Sequence, residues 1–345
     1  MPIATFNRRS FTLGAAAALA VPASRAQPAR GSRRVALAVG GKAAFYYLPL
    51  CIAEQLGYFS AEGLEIVVQD FAGGSLARKA LTDGAVDVCA GAYEHTIDLQ
   101  SKKQMYQEFV LMGRAPQIAF GVSTRTMPHY ETPADLIGKR IGVTAPGSST
   151  GRVARLVLAR AGIQASAVSF VGVGTSIGAL NALRSGQIDA MSNVEPVITM
   201  AEQRGELRIV SDTRTLKGTI ALFGGLMPAA CLYASPDFLQ RNPQATQGLA
   251  NAIVRALKWL QTAGPSDIVK TVPESYLLGD RALYLAVLTK VRQAYSPDGM
   301  MDEDGSRTAL RALAGQDPAI RPEEIELERT YTNQFALRAK ERFRA

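Results

Sequence analysis

The chain has 345 residues, 47% of them hydrophobic, with 38 Lys and Arg against 30 Asp and Glu. The basic excess is mild and spread out, without interleaved aromatics, which argues against nucleic-acid binding. Three scattered cysteines, Cys51, Cys89 and Cys231, and two histidines without paired metal-ligand spacing argue against a disulfide framework and a dedicated zinc site.

Residues 1–26 read as an export signal. Asn7-Arg8-Arg9-Ser10-Phe11-Thr12-Leu13 resembles the twin-arginine motif, Gly14 to Val21 is a short alanine-rich apolar run, and Ser24-Arg25-Ala26 offers small residues for cleavage. A mature chain is expected from about Gln27, with 35 basic against 30 acidic residues. No later stretch reads as a transmembrane helix. The remaining length suits two lobes with ample core.

In chain order, Arg34–Val39 reads as an apolar strand and Gly40-Gly41-Lys42 as a turn. Ala43–Leu56 has helical period and is capped by Gly57. Leu64–Val68 is a second strand ending at Phe71-Ala72-Gly73-Gly74-Ser75, and a short helix leads to Ala80–Asp87. Phe109–Met112 and Ile118–Val122 read as strands.

The first series then repeats about one hundred residues on. Arg140–Val143 is a strand, Pro146–Thr150 a polar turn, and Val153–Ala161 a helix closed by Gly162. Val168–Val171 is a strand ending at Gly172-Val173-Gly174-Thr175, and a helix leads to Ala182–Ala190. Both halves contain Ala-Leu-x-x-Gly-x-(Val/Ile)-Asp, in which Gly ends a helix in the left-handed conformation and a buried strand follows. Strand–helix–strand repeats require parallel sheets with right-handed crossovers, and ligands bind beyond the carboxyl ends of such strands. Two such lobes facing each other form one cleft. The turn before Ser148-Ser149-Thr150 aims backbone N–H groups and a positive helix end outward, which favours anions.

Beyond the repeat, Leu226–Ala234 reads as a strand. Pro236 and Pro243 begin helices, with Ser235 and Asn242 as caps. Leu249, Ile253, Leu257 and Leu260 form one apolar face, and Trp259 reads as core packing. Helical stretches near Ala282–Ala294 and Glu323–Arg344 finish the chain, the last packing on the outside or fraying. A dinucleotide fingerprint fails because Gly172-x-Gly174-x-x-x-Gly178 is loosely spaced and Asp189 begins a strand rather than ending one. A Walker loop fails at Pro146 and Arg152. No nucleophile–base–orienter set is visible, so an enzyme is not expected.

The same residues resemble the nitrate/sulfonate/taurine-type substrate-binding proteins of ABC importers, a group that includes thiamine-pyrimidine-precursor binders. The marks are Glu54–Phe59 with Glu62–Ile66, Ala80–Asp87, Thr132–Val143 and Gly186–Ala190. The resemblance implies an α/β fold of the periplasmic-binding-protein type II kind. It has two lobes, each a mainly parallel sheet flanked by helices, with the ligand cleft between them. Lobe I is expected over 27–123 and 221–345 and lobe II over 124–220, with crossings near Ser123–Arg125 and Ala221–Gly225. A periplasmic monomer that hands a small organic anion or heterocycle to a membrane permease is implied, with no cofactor. The alternatives are an enzyme on the same fold, pyrimidine-synthase-like or lyase-like, and a sensory partner that presents its ligand to a receptor. The pyrimidine synthases carry a cysteine-rich iron motif that this chain lacks.

Family position brings Lys42, Phe45, Tyr46, Gly74, Ser75, Tyr93, Ser148, Ser149, Thr150, Gly174, Thr175, Asn193 and Glu195 to the cleft. Ser148–Thr150 offer hydroxyl and backbone donors to an anion. Phe45, Tyr46 and Tyr93 offer rings to a planar or apolar part of the ligand. Glu195 either accepts from an amine or ring N–H or orients the helix beginning at Pro196. Lys42 and Arg152 are the natural counter-ions, or else solvated, with Arg114 a weaker candidate. His95 is expected to pack or to cap the helix it enters.

Overall fold

A computed structural model describes residues 33–345. The export signal expected over residues 1–26 lies outside the described residues.

The chain enters through β1 (Arg33–Gly40), α1 (Leu48–Gln55), α2 (Tyr58–Ala61), β2 (Leu64–Phe71), α3 (Gly74–Thr82), β3 (Val88–Ala92), α4 (Glu94–Ser101) and β4 (Gln107–Leu111). It continues through β5 (Ile118–Ser123), β6 (Arg140–Val143), α5 (Ser149–Arg160), β7 (Ser169–Gly172), α6 (Ile177–Ser185), β8 (Ala190–Val194), α7 (Val197–Gln203), β9 (Leu207–Asp212) and α8 (Leu216–Phe223). It ends with β10 (Ala230–Ala234), α9 (Pro236–Arg241), α10 (Pro243–Thr262), α11 (Pro265–Thr271), α12 (Arg281–Val291), α13 (Glu303–Ala314) and α14 (Gln334–Phe343).

The strands form two sheets, ordered β2-β1-β3-β10-β4 and β7-β6-β8-β5-β9. β1 pairs in parallel with β2 and β3, as β6 does with β7 and β8. The fourth strand of each sheet is antiparallel to both its neighbours. The repeat seen in the sequence is therefore a repeat in space. The repeated Asp has a physical role: Asp87 accepts the Ala36 N–H at 2.8 Å and Asp189 accepts the Arg140 N–H at 3.0 Å. Each carboxylate ties the strand it precedes to the strand that opens the repeat, β1 or β6.

Both sheets are therefore mixed rather than mainly parallel, and both are covered on both faces. In the first, Leu37, Val39, Val88 and Leu232 pack with α1 and α10, and Ala38, Cys89, Cys231 and Tyr233 pack with α3, α4 and α13. In the second, Phe120, Val122, Ile141 and Val143 meet Ala154 and Leu158 of α5. Its other face, with α6 and α7, is continuous with the larger core of the first lobe. Leu249, Ile253, Leu257 and Leu260 are buried and Trp259 packs against the same core, as expected. The Ser235 side chain caps α9 by accepting the Phe238 N–H at 3.2 Å.

Two expectations change. The first crossing falls at 112–117, ahead of Ser123–Arg125, because β5 pairs with β8 and β9 in the second sheet. The alternation of Ile118–Val122 marks a strand but does not choose its sheet. The stretch Glu323–Arg344 is not one helix: two short 3-10 turns precede α14, whose Phe335, Ala336 and Ala339 are buried. The second crossing runs over 213–229, between β9 and β10, and the two crossing segments pair with each other. Ala229 N–H donates to Gly113 O at 2.8 Å, Gln117 N–H to Thr213 O at 3.1 Å, and Thr213 N–H to Ile118 O at 2.8 Å.

Glu108 of β4 is 1% exposed, and neither carboxylate oxygen has a hydrogen-bond partner among the described residues. Burial pushes its pKa well above the ordinary carboxylate range. A raised carboxyl pKa favours the fold below the unfolded-state value and works against it as pH rises. Glu108→Gln is therefore expected to raise Tm at pH 8 and to lose that advantage by about pH 4. Equal Tm differences at both values in a thermal-melt series would refute a protonation cost.

Candidate functional site

A parallel strand followed by a helix delivers the helix N-terminus to the carboxyl edge of the sheet. Here two such ends meet. α3 begins at Gly74 in the first lobe and α5 begins at Ser149 in the second. The lobes touch at this point. Ser148 Oγ accepts the Ser75 N–H at 2.9 Å, the two hydroxyls lie 3.2 Å apart, and Ser75 Oγ donates to Pro146 O at 2.8 Å. The backbones are so close that a Cβ on Gly73 would stand 2.8 Å from Ala145 Cβ. Gly41, at φ +94°, lets the β1 turn pass Thr175, whose Oγ1 a Cβ would meet at 2.3 Å.

Between the two helix ends lies a cavity that opens to solvent. Of the residues named from the sequence, Tyr46, Gly74, Ser148, Ser149, Thr150 and Thr175 line it. Tyr47, His95 and Thr144 line it as well. The Tyr46 and Tyr47 rings meet edge to face, 4.8 Å apart. Thr150 is partly structural. Its Oγ1 accepts the Thr144 N–H at 3.0 Å and clips the end of β6 to the start of α5.

His95 is fully buried rather than a helix cap. Nδ1 lies 3.1 Å from the Tyr233 hydroxyl, and Nε2 has no hydrogen-bond partner among the described residues. Burial, with Arg78 and Arg152 nearby, lowers its pKa well below the usual imidazole value, so the ring is neutral. The Tyr46 hydroxyl is likewise buried without a hydrogen bond of good geometry, although Ser149 stands beside it. Among the described residues, those lining this cavity include no charged side chain.

The remaining expected residues serve other ends. Phe45 packs on Tyr284, ring centroids 4.2 Å apart, because the chain has already turned into the core. Tyr93 points to the opposite sheet face, where its hydroxyl meets Thr330 Oγ1 at 2.7 Å. Gly174 and Asn193 form a second layer, with Asn193 Nδ2 donating to Gly174 O at 3.0 Å. Glu195 is not available to an amine. It accepts from Arg214 at 2.8 Å and from the Thr199 hydroxyl at 2.6 Å, orienting α7. Lys42 is held by Glu54 at 2.6 Å, and Arg114 donates to Gln293 O at 3.0 Å.

Arg152 pairs with Asp98 at 3.0 Å, from α5 of one lobe to α4 of the other. Asp98 also receives Arg78 at 2.5 Å and Lys102 at 2.9 Å. Burial alone would raise the Asp98 pKa, but Arg152, Lys102 and Arg78 bring it down to about 2. Both natural counter-ions of the cleft are thus already paired, Arg152 as one of three cations that share the Asp98 carboxylate. No group of three or more His, Cys, Asp or Glu suited to a metal ion occurs among the described residues. None of their helices is long and apolar enough to cross a membrane.

This architecture is that of the periplasmic binding proteins. The chain belongs to the NMT1/THI5-like family, whose model matches residues 44–265. A solved protein from Bordetella bronchiseptica RB50 is 52% identical, with a TM-score of 0.89 over 90% of this chain and 98% of that one. The alkanesulfonate-binding protein SsuA from Xanthomonas axonopodis pv. citri, solved with MOPS, shares the fold at 15% identity and a TM-score of 0.66, covering 87% of this chain and 98% of its own. The nitrate-binding protein NrtA from Synechocystis PCC 6803 does so at 14% and 0.66, over 90% and 88%. The desulfurization enzyme DszB also shares it, at 17% and 0.57, over 90% and 100%.

Asp98→Asn leaves three cations around one amide. Removing one partner of a buried ion pair costs on the order of 3–5 kcal/mol. A depressed carboxyl pKa adds stability above the unfolded value that is lost as pH falls through the folded one. The wild type is therefore expected to melt well above the variant at pH 7, with the gap closing between about pH 4 and pH 2. A gap that stays constant over that range, read by calorimetry, would count against the pairing.

Proposed function

We propose that this protein is an exported solute-binding protein that captures a small organic anion between its lobes and hands it to the permease of an ABC importer. One observation carries the reading: two helix N-termini, one per lobe, face a single cavity walled by hydroxyls, a neutral imidazole and tyrosines. Helix ends of this kind favour anions without a counter-ion. The fold shared with alkanesulfonate- and nitrate-binding proteins supports the reading. Export places the protein in the periplasm, where closed lobes present a joint surface to the permease, and a monomer suffices for this.

A binding role fits the site better than a catalytic one. No cysteine lines the cavity, and burial raises the Cys51 and Cys89 thiols to about 12 and Cys231 well above its usual value, so none is a thiolate at neutral pH.

A micromolar ligand corresponds to roughly 8 kcal/mol of net binding free energy. At 100 times its Kd it stabilises the fold by about 2.7 kcal/mol. A thermal-shift screen of organic carboxylates and sulfonates is expected to find such a ligand. Ser149→Ala, which removes a donor without touching the Thr144–Thr150 clip, is expected to weaken it at least tenfold at unchanged Tm. Failure of every small solute, together with turnover of one, would replace this reading with an enzyme.

A further inference from the structure

A separate pocket lies at the seam between the lobes. It is open, has a volume of about 410 Å³ and shares no lining residue with the cavity between the helix ends. Arg78 of α3, Lys102 just after α4, and Arg152 and Arg155 of α5 line it, with two carboxylates, Asp98 and Asp317. Four cations against two anions leave a net charge of +2 in one recess.

The carboxylates do not absorb these charges. Asp98 is shared by three of the cations, at 2.5 Å from Arg78, 2.9 Å from Lys102 and 3.0 Å from Arg152. Each guanidinium gives Asp98 one nitrogen, Nη1 of Arg78 and Nη2 of Arg152, and neither donates elsewhere among the described residues. Arg155 has no ion-pair partner among them; its guanidinium lies over the Phe170 ring, 4.5 Å from the centroid. Asp317 has no ion-pair partner among them either, and one of its oxygens accepts the Ala319 N–H at 3.0 Å.

A cross-lobe ion pair accounts for Arg152 with Asp98. It does not account for two further cations on the same carboxylate and a fourth beside them, because like charges gathered in one place repel. A recess lined by one sign of charge concentrates counter-ions, and guanidinium forks match the oxygens of sulfate and phosphate in pairs. The pocket has room for such an ion with several waters, each of about 30 Å³. The Arg78 and Arg152 side chains are each only 17% exposed, which favours a small ion over a flat membrane surface.

We propose that the seam pocket is a second binding site, for a free divalent oxyanion of the sulfate or phosphate class, held between Arg78 and Lys102 of one lobe and Arg152 and Arg155 of the other. The bound ion supplies the missing negative charge and adds a cross-lobe link beside Asp98. The site lies outside the cleft, so it stands whether or not the cleft takes an organic anion.

Sulfate and phosphate stabilise many proteins by exclusion from the surface, so the readout is saturable binding rather than Tm. Isothermal titration with sodium sulfate and with sodium phosphate, ionic strength held constant with chloride, is expected to show saturable binding with Kd below about 10 mM. The double variant Lys102→Gln with Arg155→Gln removes two charges, keeps the Arg78–Asp98–Arg152 bridge, and is expected to weaken binding at least tenfold. Asp317→Asn is expected to tighten it at least threefold. Ser149→Ala, in the cleft, is expected to leave it within about twofold. Circular dichroism checks the fold of each variant, and Arg155→Gln alone serves if the double variant does not fold. Absence of saturable binding, or affinity that survives the double variant, overturns the proposal. Binding abolished by Ser149→Ala alone puts the ion in the cleft and overturns it as well. Sedimentation with phosphatidylglycerol vesicles in a protein that binds neither free ion overturns the choice of a free ligand.

Discussion

In a parallel sheet, every helix that follows a strand starts at the sheet's carboxyl edge. That constraint, applied twice, builds this protein. β2 hands the chain to α3 and β6 hands it to α5, so each lobe presents a helix N-terminus at its rim. The paired crossings at Gly113–Ala229 and Gln117–Thr213 hold the lobes with those rims opposed. The cleft is then a consequence of topology, and side chains need only select its occupant.

The selection works by removing charge rather than supplying it. Lys42, Arg152 and Arg78 all lie close to the cleft, and each is spent on a carboxylate, Glu54 or Asp98. A free lysine in the cavity would be a strongly hydrated point charge that ligand binding must desolvate. Fixed N–H groups and hydroxyls are already oriented, so they lose little on binding. Burial keeps His95 neutral for the same end, leaving it a hydrogen-bonding group rather than a cation. The Asp98 cluster also links the lobes, because Arg152 reaches it from the opposite one.

Much of this is written in the chain. The two Ala-Leu-x-x-Gly-x-(Val/Ile)-Asp segments mark equivalent places in two sheets, and the structure gives their Asp a backbone partner in each. Ser148–Thr150 and Gly74–Ser75 are legible because they sit where strand turns into helix. Side-chain direction is not legible. Tyr46 and Tyr47 reach the cavity while Phe45, one residue earlier, enters the core, and nothing in Phe-Tyr-Tyr separates them. Tyr93 and Glu94 leave β3 together yet point to a core and to a chamber. The sheet to which β5 belongs is equally hidden, since pairing across seventy residues leaves no local trace.

The placement of the crossings ties cleft and connection together. Ile118 lines the cavity and Pro116 a neighbouring pocket, so this segment is at once part of the walls and part of the link between lobes. Gln117, between the two, has φ +55° and a fully buried side-chain amide without a partner. Non-glycine residues in that conformation persist only where the surroundings over-determine them. Here the surroundings are the Thr213 backbone and hydroxyl, which hold Gln117 and Ile118 from the second crossing. At the rim the lobes meet through Ser75 with Ser148 and Asp98 with Arg152, and the Gln117–Thr213 pairing joins the crossings themselves. The rim contacts set how the two helix ends face each other, and the crossings shape the cavity wall beneath them.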